Sequence, residues 1–121
     1  MPSLDTTGWE LESAEERNHL HPDRFHIPTL EERRGLLHGQ MVKLLFLFMN
    51  HEEGRPIIDC ERMWVTIINV SGGTYTGRLE SLPSTSDLLK PGDVIEFEPQ
   101  HVASVFVPGA DPRHPDNLSS P

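Results

Sequence analysis

The histidines and the single cysteine are the side chains of this 121-residue chain that most readily suggest metal or nucleophilic chemistry. His19, His21 and His26 lie close together in the sequence. A zinc site needs three or four convergent ligands, however, and the Leu and Pro between these histidines indicate an irregular connection. His51 lies in a polar stretch and His114 in a proline-rich tail. We therefore predict solvated histidines, no bound metal and no other cofactor.

Cys60 is flanked by Asp59 and Glu61, whose negative charges disfavour the thiolate that a nucleophilic cysteine requires. With one cysteine, the chain cannot form an internal disulfide. We predict an unreactive cysteine.

Paired carboxylates, which could support acid–base catalysis, occur at Glu96 and Glu98. Their alternation with Ile95 and Phe97 is typical of the solvent side of an amphipathic strand, which explains them without chemistry. We therefore predict no catalytic residue. The alternative is a small hydrolase or a ligand-binding β-barrel of unknown substrate, with candidate residues His101, Glu96, Arg62 and Asp93.

Two capping-box patterns predict short helices near the N-terminus. They are Ser13-x-x-Glu16 and Thr29-x-x-Glu32, in which a hydroxyl and a carboxylate satisfy the first backbone amides of a helix. We expect the second helix to run to Gly39, a residue suited to the position after a helix.

Strands account for most of the remaining chain. A Gly-Gly pair at 72–73 predicts a tight hairpin and Pro91-Gly92 a type II turn, while 50–59 is predicted to be a polar loop.

The predicted fold class is mainly β (α+β): a small antiparallel five-stranded SH3-like or OB-like barrel with one or two short N-terminal helices. We expect a partly ordered acidic arm (1–24), one barrel domain (25–107) and a disordered Pro-rich tail (108–121). The five strands are predicted over residues 41–49, 61–70, 74–82, 94–98 and 103–107.

The formal net charge of −9 argues against nucleic-acid binding, because phosphate contacts require clustered Lys and Arg. The chain has no apolar stretch long enough to cross a bilayer, and its acidic N-terminus lacks the apolar region of a signal peptide. We therefore expect a cytoplasmic location with neither a nucleic acid nor a membrane as partner.

The Gly-Gly turn also predicts which sheet face is buried. If Gly72 and Gly73 form the turn, Ser71 faces Thr74 and the pairing continues from there. One face then carries the predicted core residues Trp64, Ile68, Val70, Tyr75 and Leu79.

The opposite face provides the candidate partner-binding residues, an apolar stripe edged by charge. This stripe needs a cover, which could be the N-terminal segment through Trp9, Leu11, Leu20, Phe25 and Ile27, or a partner chain. A monomer and a homodimer both remain open. The candidate residues are Met63, Val65, Ile67, Arg78 and Glu80.

Several strings between Phe25 and Val102 resemble a bacterial domain family of unknown function. The most specific is the strand ERMWV at 61–65, followed by the GD-x-I-x-F pattern at 92–97. The resemblance implies a small, mostly β, bacterial cytoplasmic protein from a family found in gene neighbourhoods that include toxin immunity. The loop at 81–89 departs from the family pattern by being more polar.

Together, the acidic charge, the lack of a catalytic set and the doubly apolar strands favour a non-enzymatic protein-binding module. An acidic inhibitor or toxin-immunity protein fits this description, and its protein partner would be basic because acidic surfaces steer basic partners.

Overall fold

A curled half-barrel sheet of six antiparallel strands dominates the computed structural model, which describes residues 2–107. The predicted mainly β fold is therefore confirmed, and the two short helices match the expected number. The predicted disordered tail at 108–121 lies outside the described residues. In chain order the elements are β1 (Trp9–Leu11), α1 (Ala14–Leu20), α2 (Leu30–Arg34), β2 (Met41–Glu52), β3 (Arg55–Ser71), β4 (Thr74–Leu79), β5 (Val94–Phe97), a 3-10 turn (Pro99–His101) and β6 (Val102–Val105).

Strand β2 lies at the centre of the sheet. The main strand order is β1-β2-β3-β4-β5, and β6 also pairs with β2. Strand β3 follows one edge of β2 along its whole length, while β1 and β6 share the other edge. The contact with β1 was not predicted, because three residues are too short to show a strand period.

Both predicted helix caps are present. The hydroxyl of Ser13 accepts a hydrogen bond from the Glu16 amide, and that of Thr29 accepts one from the Glu32 amide. The second helix ends at Gly35, not at the predicted Gly39. Glycine in a helix interior lowers the stability of the helix, and this short helix ends where Gly35 follows Arg34.

The predicted polar loop at 50–59 is wrong. Strands β2 and β3 continue through it and meet at a two-residue turn made by Glu53 and Gly54, both with positive φ. A two-residue turn with positive φ at both positions matches the twist of paired strands, so it extends the hairpin instead of ending it. The Gly72–Gly73 hairpin has the same geometry and confirms its prediction.

A β-bulge at Ile68 corrects the predicted faces of β3. The expected pairing holds for Ser71 with Thr74 and for the next two pairs, but it shifts by one residue between Asn69 and Ile67. An extra residue in one strand exchanges the faces of every residue beyond it. The predicted core assignment is therefore wrong for Trp64 and Ile68, while Tyr75 and Leu79 are core residues as predicted. Val70 keeps its predicted pairing with Tyr75 but is 45% exposed, so it is not a core residue either.

The three apolar residues of the predicted binding stripe are core residues in consequence. Met63 is 2% exposed, and Val65 and Ile67 are 0% exposed. Gly77 lies opposite Ile67, and a Cβ there would collide with a methyl group of Val65. The inner face, meaning the side of the sheet that points into the half-barrel, is packed with Val42, Leu44, Phe46, Phe48, Met63, Val65, Ile67, Tyr75, Leu79, Ile95, Phe97 and Val102.

A second, smaller cluster lies on the outer face, the opposite side of the sheet. There Leu45 of β2 is buried under Phe25 and Ile27 from the segment that joins the two helices. Trp9 and Leu11 of β1 instead pack against the main core, and Leu20 is 66% exposed. The N-terminal segment therefore covers part of the sheet, as one alternative expected, but not through Leu20.

Candidate functional site

A group of cationic side chains lies on the outer face of β2 and β3, next to the segment that follows α1. Residues from α1, that segment, β2, β3 and β6 line two adjoining depressions that share Arg24, Phe25 and Arg62. The deeper depression has a volume of about 140 Å³. We call the combined feature the basic groove, and it consists of Arg17, His21, Arg24, Phe25, His26, Lys43, Arg62, Ala103 and Ser104.

Phe25 anchors the groove because its ring contacts two guanidinium groups. The Cζ atom of Arg17 lies 5.4 Å from the ring centroid, and that of Arg62 lies 5.2 Å from it. Cations at this distance from an aromatic ring are attracted by its quadrupole. The buried ring therefore holds both guanidinium groups in place without neutralising their charge.

Lys43 extends the groove toward a pair of aromatic rings. Its Nζ lies 4.8 Å from the Trp64 ring centroid, and Trp64 meets Phe106 edge to face at 5.9 Å. Burial lowers the pKa of Lys43, and the positive charge of Arg62 lowers it further. Trp64 is half-buried and Phe106 is exposed, so this end of the groove combines a cation with accessible aromatic surface.

The charges of the groove are only partly balanced. Glu12 binds Arg17 with two hydrogen bonds, to Nε at 2.8 Å and to Nη2 at 2.7 Å. Neither Arg24 nor Arg62 forms an ion pair with any residue between 2 and 107. Within that range no Asp or Glu lines the groove at all. Among residues 2–107, the lining of the groove therefore carries cations without the carboxylates that outnumber them in a chain with a net charge of −9.

This arrangement is chemically suited to binding. Arginine presents several donors that match the two oxygens of a carboxylate, and aromatic surface adds apolar contact area. Arg, Tyr and Trp are also the residue types that contribute most to protein–protein interfaces.

The predicted partner-binding residues do not come together as a surface. Met63, Val65 and Ile67 are buried in the core, because the bulge at Ile68 places them on the inner face. Arg78 and Glu80 are exposed, but they pair with each other at 3.0 Å. Hydrogen bonds from Thr66 and Arg78 lower the pKa of the Glu80 carboxyl, so this pair is a local feature of the outer face.

The residues of the hydrolase alternative have separate local roles. The Nδ1 atom of buried His101 accepts a hydrogen bond from the Glu98 amide and so caps the 3-10 turn. Asp93 accepts hydrogen bonds from the amide and the ammonium group of Lys90, within the predicted turn at Pro91-Gly92. Glu96 is exposed on β5 and Arg62 lies in the basic groove.

The structure also locates the candidate metal ligands and the cysteine. No group of three or more His, Cys, Asp or Glu side chains in residues 2–107 is arranged to hold a metal ion. His21 and His26 line the basic groove, while His114 lies outside the described residues. Burial raises the pKa of the Cys60 thiol, and the thiol contacts Arg17 and Glu12.

Comparison with known proteins gives no relative. No protein-family model matches the chain, and the curated proteins and solved structures compared with it yield no match either. In the part of the chain that the structure describes, no helix has the length and hydropathy needed to span a membrane.

Proposed function

We propose that this chain is a non-enzymatic protein-binding module that contacts its partner through the basic groove and the adjoining Trp64–Phe106 pair. One observation carries the proposal: a groove lined by cations and aromatic rings, and by no described carboxylate, lies on the outer face of an acidic protein. A cluster of like charges costs folding free energy, so its presence favours a functional role.

The packing of the half-barrel supports a surface function. The largest inner-face side chains are almost fully buried, with exposed fractions below 2%. Small-molecule sites in β-barrels usually use the barrel interior or its mouth. The hydrolase alternative has less support, because His101 and Asp93 each hold a local turn.

The finer hypothesis, an acidic inhibitor or toxin-immunity protein, is supported by the net charge of −9. Acidic surface outside the groove would steer a basic partner toward the module and raise the association rate. The basic groove would then receive an acidic group of that same partner and fix its orientation.

The test uses the full chain as an immobilised bait in extracts of its host, with the wild type and two variants compared at equal loading. The groove variant is Arg62→Gln with Lys43→Met, which removes two charges and keeps the side-chain stems. The matched control is Arg78→Gln, which removes one charge from the same sheet face outside the groove.

A partner retained in stoichiometric amounts by the wild type and by Arg78→Gln, and lost by the groove variant, supports the proposal. Equal retention by all three proteins contradicts it, because binding would then use another surface. Circular dichroism and thermal unfolding of each bait establish that the groove variant is folded.

A further inference from the structure

We infer that the shallower depression of the basic groove binds a phosphoryl group on a phosphorylated side chain of the partner protein, with Arg24 and Arg62 as its main ligands. This inference rests on the proposed function and specifies the chemistry of that contact. It is carried by the composition of the depression, by the way the fold holds its two open guanidinium groups and by the charge that these two groups can balance.

Four of the five described residues that line this depression carry basic groups. They are Arg17, His21, Arg24 and Arg62, and the fifth is Phe25. The depression has a volume of about 370 Å³, which leaves room for a phosphoryl group and the side chain that bears it. Lys43 lines the deeper neighbouring depression and is not part of this site.

The fold holds the two main ligands next to each other. The amides of Arg24 and Phe25 both donate to the carbonyl oxygen of His21, at 3.1 and 2.9 Å, and this turn fixes the backbone of Arg24 at the end of α1. Arg62 lies on β3, and its Cζ atom is 5.2 Å from the centroid of the Phe25 ring. Phe25 therefore adjoins Arg24 in the chain and Arg62 in space, and both guanidinium groups line the same depression.

The guanidinium group of Arg17 is already bound within the protein. Its Nε and Nη2 atoms donate to the two carboxylate oxygens of Glu12, which occupies the fork of the guanidinium group. Arg24 and Arg62 form no ion pair with any residue from 2 to 107. Within this range, two guanidinium groups of the depression are thus open to a ligand, and each has a fork that matches two oxygens of a phosphoryl group.

The number of open guanidinium groups favours a phosphoryl group over a carboxylate. A phosphate monoester carries a charge of about −1.5 to −2 at pH 7 and three acceptor oxygens, whereas a carboxylate carries a single charge and two oxygens. Arg24 and Arg62 together balance the charge of the phosphate monoester, and beside a carboxylate they would leave an excess positive charge. The imidazole of His21 lines the same depression and can donate a hydrogen bond to the third oxygen.

The surroundings of the depression favour a phosphorylated protein over other phosphates. The depression is open on one side, whereas small molecules are usually bound in clefts that bury most of their surface. The half-buried Trp64 and the exposed Phe106 at the far end of the basic groove provide apolar surface for the chain that flanks the phosphorylated residue. The net charge of −9 opposes a long polyanion such as a nucleic acid.

The first experiment is an NMR titration of the full ¹⁵N-labelled chain with a blocked pentapeptide that has phosphoserine at its centre and alanine elsewhere. The comparators are the same peptide with serine and with aspartate at the centre, at equal ionic strength. We expect the phosphopeptide to bind at least about tenfold more tightly than the aspartate peptide, because it makes more charge-assisted hydrogen bonds, and we expect the serine peptide not to bind.

Three variants assign this binding to the depression. Arg24→Gln and Arg62→Gln should each weaken binding of the phosphopeptide by about tenfold or more, because each removes charge-assisted hydrogen bonds. Arg78→Gln is the matched control on the same sheet face and should bind as the wild type does. Backbone amide spectra that match the wild type away from the substituted residue establish that each variant is folded.

The side-chain Nε–H signals of the arginines provide a second readout in the same titration. The signals of Arg24 and Arg62 should move as the phosphopeptide binds, because their donors gain phosphoryl oxygens as acceptors. The signal of Arg17 should move little, because its Nε already donates to Glu12. A merely structural role of Arg24 and Arg62 would not produce this pattern.

Two further probes identify the source of the phosphoryl group. Inorganic phosphate and a dodecamer of dT are titrated under the same conditions as the phosphopeptide. We expect both to bind more weakly than the phosphopeptide. Inorganic phosphate that binds as tightly as the phosphopeptide, or a dT oligomer that binds more tightly, overturns the assignment to a phosphorylated protein side chain.

Each outcome decides the inference. Binding that requires the phosphoryl group, Arg24 and Arg62 supports it. No binding at millimolar phosphopeptide, equal binding of the aspartate peptide, or unchanged binding in either arginine variant overturns it. If the phosphopeptide fails to bind while the groove variant still loses the captured partner, the proposed function stands and only the phosphoryl assignment fails. If the phosphopeptide binds as expected while all three baits retain the partner equally, the phosphoryl site stands and the proposed contact surface fails.

Discussion

The two faces of the β2–β3 sheet consist of residues from the same strands, but different kinds of contact hold the side chains on each face. On the inner face Val65 and Ile67 are fully buried and pack against other apolar side chains. On the outer face the neighbouring positions carry Lys43, Arg62 and Trp64, and the contacts there are between cations and rings. Alternation along a strand lets one face supply stability while the other is free to recognise a partner.

The comparison also shows where the chain accepts an unfavourable arrangement. The inner face has no charged residue in its core cluster among the residues described, so its packing is governed by apolar burial. The outer face brings Lys43 and Arg62 together, although burial and the charge of Arg62 both lower the pKa of Lys43. Stability should therefore depend strongly on the inner face, and partner binding on the outer one.

The largest expected effect compares two consecutive isoleucines across the bulge. Ile67→Ala should lower the free energy of unfolding by about 2–5 kcal/mol, because it leaves a cavity in the inner core. Ile68→Ala should cost less than half as much, because Ile68 is the half-buried bulge residue. Urea unfolding of both variants measures the difference. Equal costs, or a larger cost at Ile68, would mean that the bulge is misplaced.

Gly77→Ala should cost about 1–3 kcal/mol, because the new methyl group would overpack the inner face. It would collide with Val65 and approach the carbonyl oxygen of Thr66 to 3.0 Å. Gly35→Ala is the control, since its Cβ would meet only the Glu31 carbonyl, at 3.4 Å. We expect a lower melting temperature for Gly77→Ala alone, and similar melting temperatures for the two variants would contradict this packing of the inner face.

Tyr75→Phe tests the polar contact that joins the inner face to α2. The buried Tyr75 hydroxyl donates to the carbonyl oxygen of Arg33 at 2.8 Å and accepts from the Leu36 amide at 3.3 Å. Removing it leaves both backbone groups without this partner and should cost about 1–3 kcal/mol in the free energy of unfolding. Chemical denaturation measures this cost, and a loss below about 0.5 kcal/mol would show that water replaces the hydroxyl.

His101 should make the fold sensitive to acid. Burial lowers its pKa below the ordinary value of 6.5, although the charges of Glu98 and Glu15 oppose this effect. The unfolded chain therefore binds a proton near pH 6.5 that the folded chain does not bind, and stability should fall as the pH drops below that value. The slope from one such group is at most about 1.4 kcal/mol per pH unit.

Unfolding free energies measured between pH 5 and pH 8 check this dependence. His101→Gln should flatten the fall below pH 6.5, whereas His38→Gln, at an exposed histidine, should leave it unchanged. An unchanged slope in His101→Gln would assign the acid sensitivity to other groups.

The smallest expected effect belongs to the outer face. Arg62→Gln should change the free energy of unfolding by less than about 1 kcal/mol, because exposed and half-buried surface charges contribute little to stability. It should raise the pKa of Lys43, since the charge of Arg62 contributes to lowering it. Thermal unfolding and the NMR titration of Lys43 measure the two quantities. A large loss of stability would show that the two faces do not differ as described.

Local signals in the sequence were sufficient to predict the helix caps and the tight turns. Ser13, Thr29 and the Gly72–Gly73 pair act over three or four residues, so their consequences can be predicted without knowledge of the rest of the fold. The mainly β class followed from the same turns and from the apolar strands between them.

The bulge and the long hairpin depend on pairing between distant residues. Apolar residues occupy both faces near Ile67 and Ile68, so alternation alone fits two registers. The two adjacent isoleucines, Ile67 and Ile68, were the feature of the sequence that could have indicated a shift in which residues face the core. The polar stretch at 50–59 forms strand because Glu53 and Gly54 turn the chain tightly, and its composition gave no hint of this.

The basic groove could not be predicted because its residues are scattered along the chain. Arg24, Lys43 and Arg62 come from a connecting segment and two strands, and only the fold brings them together. The predicted stripe of Met63, Val65 and Ile67 is buried for a related reason. Its expected exposure assumed a hairpin register without a bulge, and the pairing of distant residues decides that register. Charge averaged over the chain also concealed a local excess of the opposite sign.

Chemical-shift mapping of the full ¹⁵N-labelled chain with the partner captured by the wild-type bait tests most directly whether the outer face binds the partner. We expect the largest amide shifts at 24–26, 43, 62–64 and 103–104, around the basic groove, and we expect them to disappear in the groove variant, Arg62→Gln with Lys43→Met. Inner-face amides and the hairpin tip at 50–58 should show little change. Shifts that centre on the hairpin tip, or shifts that persist unchanged in the groove variant, would contradict the assignment of the basic groove as the binding surface.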